Sequence, residues 1–141
     1  MEVIVIMYNL DELNEFFKND IFATKLLNAK ILEANNDYAK CFFEITADHK
    51  NAKGFVMGGA IFSLADFTFA VATNQHEEYY TVSTTSNISF IRPAFNGKLT
   101  AEAIKIKDGK TICFYDVNVF DDNNILIAKV NMTGTHVVKE K

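Results

Sequence analysis

The run 58–74, GGAIFSLADFTFAVATN, constrains the fold of this chain more than any other segment. It has no proline, and no glycine after its opening pair, so it reads as a helix with large apolar side chains on nearly every side. Such a helix has no face to offer to water and has to be enclosed by protein. Its flanks say what encloses it. The runs 30–34 and 38–46 are strand-like and separated by Asn35-Asn36-Asp37, a turn by residue type; in the second run Ala39, Cys41, Phe43 and Ile45 share one face. Beyond the helix, strand-like stretches near 81–91, 98–107, 110–121 and 125–137 are punctuated by Arg92-Pro93, Asp108-Gly109 and Asp121-Asp122-Asn123-Asn124. They predict an antiparallel meander.

Ahead of these strands, Asn9 and Glu12 form a capping-box pattern, and Leu10, Leu13, Phe16, Phe17, Phe22 and Leu26 recur at near-helical spacing. An amphipathic helix is expected there, stopped by Asn28 in a left-handed conformation. The sum is an α+β fold: a curved antiparallel sheet of about six strands wrapped around a central buried helix, with a short N-terminal helix. No repeat or linker divides the 141 residues, so 1–141 reads as one domain, with 1–9 as a loose or non-native extension and the native start at Met1 or Met7.

Composition narrows the partners. Hydrophobic residues make up 49% of the chain and charged residues 23%, a globular balance. A net charge of −4 excludes the clustered cations that a nucleic-acid surface needs. The opening MEVIVIM lacks a basic flank and is far too short to span a bilayer, so neither export nor a membrane is expected. Cys41 and Cys113 lie in apolar strand-like runs without metal or redox spacing and read as buried reduced thiols, which fits the cytoplasm. His49, His76 and His136 show no ligand spacing and read as surface or loop residues; no metal and no cofactor is expected.

The chemistry is concentrated on and just before the buried helix. At 100° per residue, Gly59, Ser63, Asp66, Ala70 and Asn74 fall on one small, polar stripe. A carboxylate among apolar neighbours is either a catalytic base or a group that pairs across an oligomer interface. Gly58-Gly59 either makes a tight turn or lets a ligand approach free backbone N–H groups at the positive end of the helix dipole, where an oxyanion can be held.

The pattern Asn51-x-x-Gly54-x-x-x-Gly58-Gly59-x-x-x-x-Leu64-Ala65-Asp66, ending in Ala72-Thr73-Asn74, resembles the signature of the PaaI-like, phenylacetate-degradation type hotdog thioesterases. Val82-Ser83, the run Asn87-Ile88-Ser89-Phe90-Ile91-Arg92-Pro93 and the tail from Ala128 to Gly134-Thr135 match as well, so the resemblance covers the chain from about Leu10 to Thr135. It implies a homo-oligomer, a dimer or a dimer of dimers, that hydrolyses acyl-CoA at sites between subunits. Asp66 then corresponds to the family's catalytic carboxylate, Gly58 to the amide that polarises the thioester carbonyl, and Asn51 to a side chain that orients thioester or water. Ser83 corresponds to a hydroxyl near the attacking water. Gly59, Ser63 and Met57 fall beside these positions and are expected to touch substrate.

One position departs from the family pattern: Met57 stands where His is common, and a thioether neither donates a hydrogen bond nor titrates. This keeps open a non-catalytic protein that binds acyl-CoA. A hydratase reading would want a His further along the helix, where Ala70 and Val71 stand. Arg92, the only arginine, with Lys105, Lys107 or Lys110, is expected at the phosphates of coenzyme A; a surface arginine at a strand end is the other reading. The acyl group is not legible, since most of the thirteen phenylalanines must fill the core.

Overall fold

The computed structural model of the protein describes residues 5–138. Its long helix, α2 (Gly58–Thr73), lies in the hollow of one six-stranded antiparallel sheet built from β1 (Lys30–Asn35), β2 (Tyr38–Glu44), β3 (Tyr79–Phe90), β4 (Lys98–Asp108), β5 (Ile112–Phe120) and β6 (Leu126–Val138). A short helix, α1 (Leu10–Phe17), precedes the sheet. Enclosure of α2 is therefore the organising contact, as its all-round apolar character requires.

The alternation of β2 and β4 explains their pairing. Ala39, Cys41 and Phe43 oppose Ala103, Ala101 and Leu99, and all six side chains are buried against the helix. The small residues among them give α2 room to approach the sheet. From β5 come Cys113, Tyr115, Val117 and Val119, and from β6 Ala128, Val130 and Met132, to complete the inner face.

The expected four-strand meander holds only for β4, β5 and β6. The order across the sheet is β1-β2-β4-β5-β6-β3, so β3 pairs with β6 and not with β4. A physical reason lies in its composition: Ser83-Thr84-Thr85-Ser86-Asn87 is polar on both faces and exposed throughout, which suits an edge and not the middle of a sheet.

The N-terminal helix is also shorter than its periodicity predicts. Both arms of the capping box are present: Glu12 N–H donates to the Asn9 side chain at 2.9 Å, and Asn9 N–H donates to the Glu12 carboxylate at 3.1 Å. Leu13 and Phe17 are buried, with Phe17 edge-on to Phe67 of α2. The helix then breaks at Lys18-Asn19-Asp20, where Asn19 turns its side-chain amide back onto the Phe16 carbonyl and so competes with the helical ladder. The chain resumes as a single π-helical turn, Phe22–Leu26, and Asn28 ends it in the left-handed conformation, φ 61°. Phe22 and Leu26, expected on a buried face, are exposed. Met7 forms a bridge with His76, and Tyr8 N–H donates to the Gln75 carbonyl, so the part of the expected extension next to α1 is tied to the fold; residues 1–4 lie outside the described residues.

Both cysteines are buried and free, and burial pushes the Cys41 thiol up to about 12. Two histidines are not at the surface. His49 is buried, with Nδ1 accepting from Thr46 N–H and Nε2–H donating to the Leu27 carbonyl. His136 bridges Asp108 at 2.6 Å and the Thr81 hydroxyl at 2.7 Å, which joins the ends of β3, β4 and β6. Their polar atoms find partners inside the fold, and residue spacing does not reveal that.

Gly134 of β6 faces α2 where Phe69 lies against the sheet; a Cβ there would come within 2.7 Å of the Phe69 ring and 3.0 Å of the Cys113 sulfur. Gly134→Val is expected to lower stability by about 1–3 kcal/mol, as overpacking does. A thermal melt checks it, and an unchanged Tm would mean that the helix moves away freely.

Candidate active site

The start of α2 is set by the loop before it. Asn51 closes a tight turn: its backbone N–H donates to the Phe55 carbonyl, its carbonyl accepts from Gly54 N–H, and its side-chain oxygen accepts from the N–H groups of Lys53 and Phe55 at 3.0 and 3.3 Å. Gly54 makes this possible at φ 89°, a conformation costly for any side chain. Val56 N–H then donates to the Ala94 carbonyl and Met57 N–H to the His49 carbonyl, which fixes the position of the first helical turn. Asn51 therefore has a structural duty that its spacing alone does not show, and its side-chain NH₂ is left without an acceptor among the described residues.

The N–H groups of Ala60 and Ile61 both turn back to the Met57 carbonyl. Those of Gly58 and Gly59 have no acceptor among the described residues, and no side chain caps this end of the helix. Two free donors thus point outward at the positive end of a 16-residue helix, the arrangement that stabilises a developing oxyanion. Phe90 lies against Gly58 so closely that a Cβ there would stand 3.0 Å from its ring, and a larger residue would require the exposed Phe90 side chain to give way.

Gly59, Ser63, Asp66 and Ala70 do lie on the less buried stripe of α2, and Asn74, its C-cap, continues the stripe to the start of β3, where its side chain bonds to Thr81. Asp66 is half-buried near the middle of the helix and accepts a hydrogen bond from the Ser83 hydroxyl of β3 at 3.3 Å. Burial raises the Asp66 pKa above the ordinary carboxylate value, the Ser83 hydrogen bond opposes that, and the charge of Asp20 adds to the rise. A carboxylate less acidic than usual is a better proton acceptor.

Two cavities flank the first turn of α2. One, of 460 Å³, is lined by Gly58, Ile61, Phe90, Arg92 and Phe95 among others. The second, of 340 Å³, is lined by Phe22, Leu26, Met57, Gly59, Ala60 and Ser63, with His49 and its neighbours at one end.

The expected phosphate cluster does not assemble within one chain. Arg92 donates to the Leu126 carbonyl at the start of β6, whereas Lys110 lies in the turn between β4 and β5, at the opposite end of the strands. The length of β5 separates them, about 25 Å at 3.3 Å per residue. Lys105 is paired with Asp37 at 3.2 Å. Among the described residues one group of side chains is suited to a metal, Asp108, Cys113 and His136, with donor atoms within 4.8 Å of one another. It sits by the C-terminal end of α2, remote from Gly58, and both ring nitrogens of His136 are already hydrogen-bonded.

This geometry has close counterparts. Residues 53–128 match the thioesterase superfamily. A relative from Archaeoglobus fulgidus, provisionally designated an esterase, is 38% identical over 79% of this chain and 72% of its own length. The acyl-coenzyme A thioesterase PaaI of Escherichia coli is 33% identical over 79% of each chain. The solved structure of E. coli PaaI superposes with a TM-score of 0.79 at 26% identity, covering 92% of this chain and 96% of that one. These matches favour turnover over binding alone, and no helix among the described residues is long and apolar enough to cross a membrane. With its six-stranded sheet closed around a central helix and its free amides at the Gly58-Gly59 turn, the chain belongs to the PaaI-like hotdog thioesterases and is a thioester hydrolase.

Proposed function

We propose that this chain hydrolyses acyl-coenzyme A in a site shared by two copies of itself, with Asp66 of one copy acting on a carbonyl held at the Gly58 amide of the other. The observation that carries this is the separation of the two groups along α2. They are two turns apart, about 12 Å at 1.5 Å rise per residue, whereas polarisation and attack both act within about 3 Å of one carbonyl. One chain holds both parts and cannot use them on the same substrate.

A second copy supplies the remedy. In a two-fold pair each residue at the interface meets a different residue of its mate, and two helices crossing in opposite directions near Phe62 put Gly58 beside the other copy's Asp66. The surfaces available for such pairing lie together. β3 is the edge of the sheet, twelve residues with one side unpaired among the described residues, and Ser83 of that strand touches Asp66 on the open stripe of α2. A long bare edge is a template for another strand unless something covers it.

In the proposed reaction the Gly58 amide, with the free NH₂ of Asn51, holds the thioester oxygen as it gains negative charge. Asp66 either takes a proton from water, whose oxygen attacks the carbonyl carbon, or attacks that carbon itself to form a mixed anhydride that water then hydrolyses; in both cases the carbon–sulfur bond breaks, coenzyme A leaves as the thiolate and takes up the proton that water gives up, and the acyl group is released as the acid. The Ser83 hydroxyl orients the carboxylate. Arg92 is assigned to the phosphates of coenzyme A, a reading supported by the part of its guanidinium that is unbound among the described residues. These steps need no cofactor. The E. coli relative is an acyl-coenzyme A thioesterase, which supports the choice of thiol, and the two buried free thiols support a cytoplasmic setting.

Four outcomes are expected. Asp66→Asn should keep fold and assembly while kcat and kcat/KM fall together by several orders of magnitude, because a transition-state interaction has been removed; near-normal turnover would end the mechanism. In wild type, activity should rise with pH along a limb whose midpoint lies above about 4, the ordinary aspartate value. Ser83→Ala removes a hydrogen bond that favours the ionised carboxylate, so that limb should move to higher pH; an unmoved limb would show that Ser83 does not touch the working group, and a shift to lower pH that it does not favour the ionised form. For the shared site, Asn51→Asp keeps the oxygen that closes the loop but removes the amide donor. Mixing it with Asp66→Asn and letting subunits exchange should restore roughly a quarter of wild-type activity, since about half the dimers are mixed and each has one intact site. Activity that stays at the sum of the parents, with exchange verified by mass spectrometry, would place Asp66 and Asn51 of one chain in one site.

A further inference from the structure

We infer that Asp108, Cys113 and His136, side by side on β4, β5 and β6, form a binding site for one zinc ion that fastens these strands together near the C-terminal end of α2. The inference is independent of the proposed hydrolysis, which concerns the other end of that helix. Spacing along the chain does not announce such a site, because its donors come from three strands and meet only through the register of the sheet. Asp108 is directly opposite Cys113, Cys113 is directly opposite Gly134, and His136 follows two residues on, on the same face as Gly134. The three donor atoms, an oxygen, a sulfur and a nitrogen, all lie within 4.8 Å of one another, with Oδ1 of Asp108 and Nε2 of His136 2.6 Å apart. Zinc bonds of about 2.0–2.3 Å in a tetrahedron set ligand atoms about 3.3–3.6 Å apart, so shifts of roughly 1 Å admit the ion.

Hydrogen bonds direct His136 for this role. The Thr81 hydroxyl donates to the Thr73 carbonyl at 3.4 Å, so its oxygen, 2.7 Å from His136 Nδ1, accepts the Nδ1 proton. A ligating imidazole is held in the same way, with an acceptor behind its second nitrogen. The ring then turns the lone pair of Nε2 toward the Asp108 carboxylate. Something positive has to stand between the two, a proton or a metal ion.

The third donor favours the metal. A shared proton makes no use of the sulfur beside it, whereas zinc takes sulfur, nitrogen and oxygen together and a hard cation would want oxygen alone. Gly134 keeps the space beside that sulfur clear, since a Cβ there would come within 3.0 Å of it. The surroundings are anionic as well. Burial pushes the Cys113 thiol up, the charges of Asp108 and Asp37 add to that, and the N–H groups of Gly134 and Cys113 oppose it. Lys105 offsets Asp37 alone, and the carbonyl end of α2 at Thr73 adds to the negative field. A divalent cation satisfies that field and holds the sulfur as thiolate. Asp108 is exposed, so the ion has a way in and water can complete its four ligands. Charge balances if zinc displaces the thiol proton of Cys113 and the proton between His136 and Asp108, both going to solvent.

The test takes untagged protein stripped with a chelator and titrates it with Zn²⁺ by calorimetry and with Co²⁺ by absorption. One equivalent of zinc per chain should bind, release about two protons and raise Tm. Cobalt in its place should show the sulfur-to-metal charge-transfer band and the visible bands of a tetrahedral ion. Cys113→Ser and His136→Gln should each abolish these signals, with Cys113→Ala used if the serine variant does not fold. Thr81→Val, which removes only the acceptor behind the ring, should weaken zinc by about ten- to a hundredfold. Cys41→Ala, the other free thiol, should leave the cobalt spectrum as it is. Stripped protein that unfolds and regains its circular dichroism on adding zinc would support the site, provided the Cys113 variants do not recover. A folded, stripped wild type that takes up no zinc overturns it. So does binding that survives the loss of Cys113, zinc bound without a cobalt–sulfur band, an affinity for Mg²⁺ or Ca²⁺ equal to that for zinc, or an unchanged affinity in Thr81→Val.

Discussion

Everything in this molecule depends on hiding α2. A helix with Ile61, Leu64, Phe67, Phe69 and Val71 spread around it cannot rest on a flat support, because whatever face is left over would be apolar and wet. The sheet answers by curving, with alanines at Ala39, Ala101 and Ala103 where helix and strands come closest. What the sheet buries least is the stripe of small and polar residues, met by β3 at Ser83 and Thr81, and the candidate site lies on that remainder. Core and site are thus two readings of one helical period.

The same arrangement accounts for the electrostatics. Asp66 is drawn into a poorly hydrated position because its neighbours on the helix belong to the core, and its partner, Ser83, comes from a strand too polar to be anywhere but the edge. The N–H groups of Gly58 and Gly59 are free for the complementary reason: a helix that opens with Met57-Gly58-Gly59 carries no side chain able to cap it. A group that would be a defect in an ordinary helix, an unanswered N–H or a half-desolvated carboxylate, is in the proposed reaction a working part.

Much of this was legible from residue types and spacing, and what was not has identifiable causes. Strand alternation and turn residues located all six strands within a few positions, and Asn28 and the Asn9–Glu12 box are local features that stand as the sequence predicts. Pairing partners are another matter: nothing in β3 names β6 as its neighbour, because edge or centre is decided by which strands have two useful faces. The break at Asp20 was hidden by apolar residues that continue at near-helical spacing but serve a surface cavity and not the core. Asn51 looked like a chemical group alone, whereas its oxygen also closes the loop that aims α2. Charge alone groups Arg92 with Lys110, and only the antiparallel path of β5 shows that they lie at opposite ends.

The order of strands also has a kinetic side. The β1-β2 hairpin and the β4-β5-β6 meander are local and need little chain closure, whereas Ala39 must find Ala103 and Tyr79 must find Val138 before the sheet is whole. Non-local pairings of this sort form late, since the loop entropy is lost before any contact rewards it. Until they form, α2 is a sixteen-residue apolar helix with two half-sheets beside it and nothing around it. The interval before closure is when this chain is most exposed to association with its own unfinished copies. A nascent chain therefore has reason to dwell as briefly as it can between making its last strand and seating it.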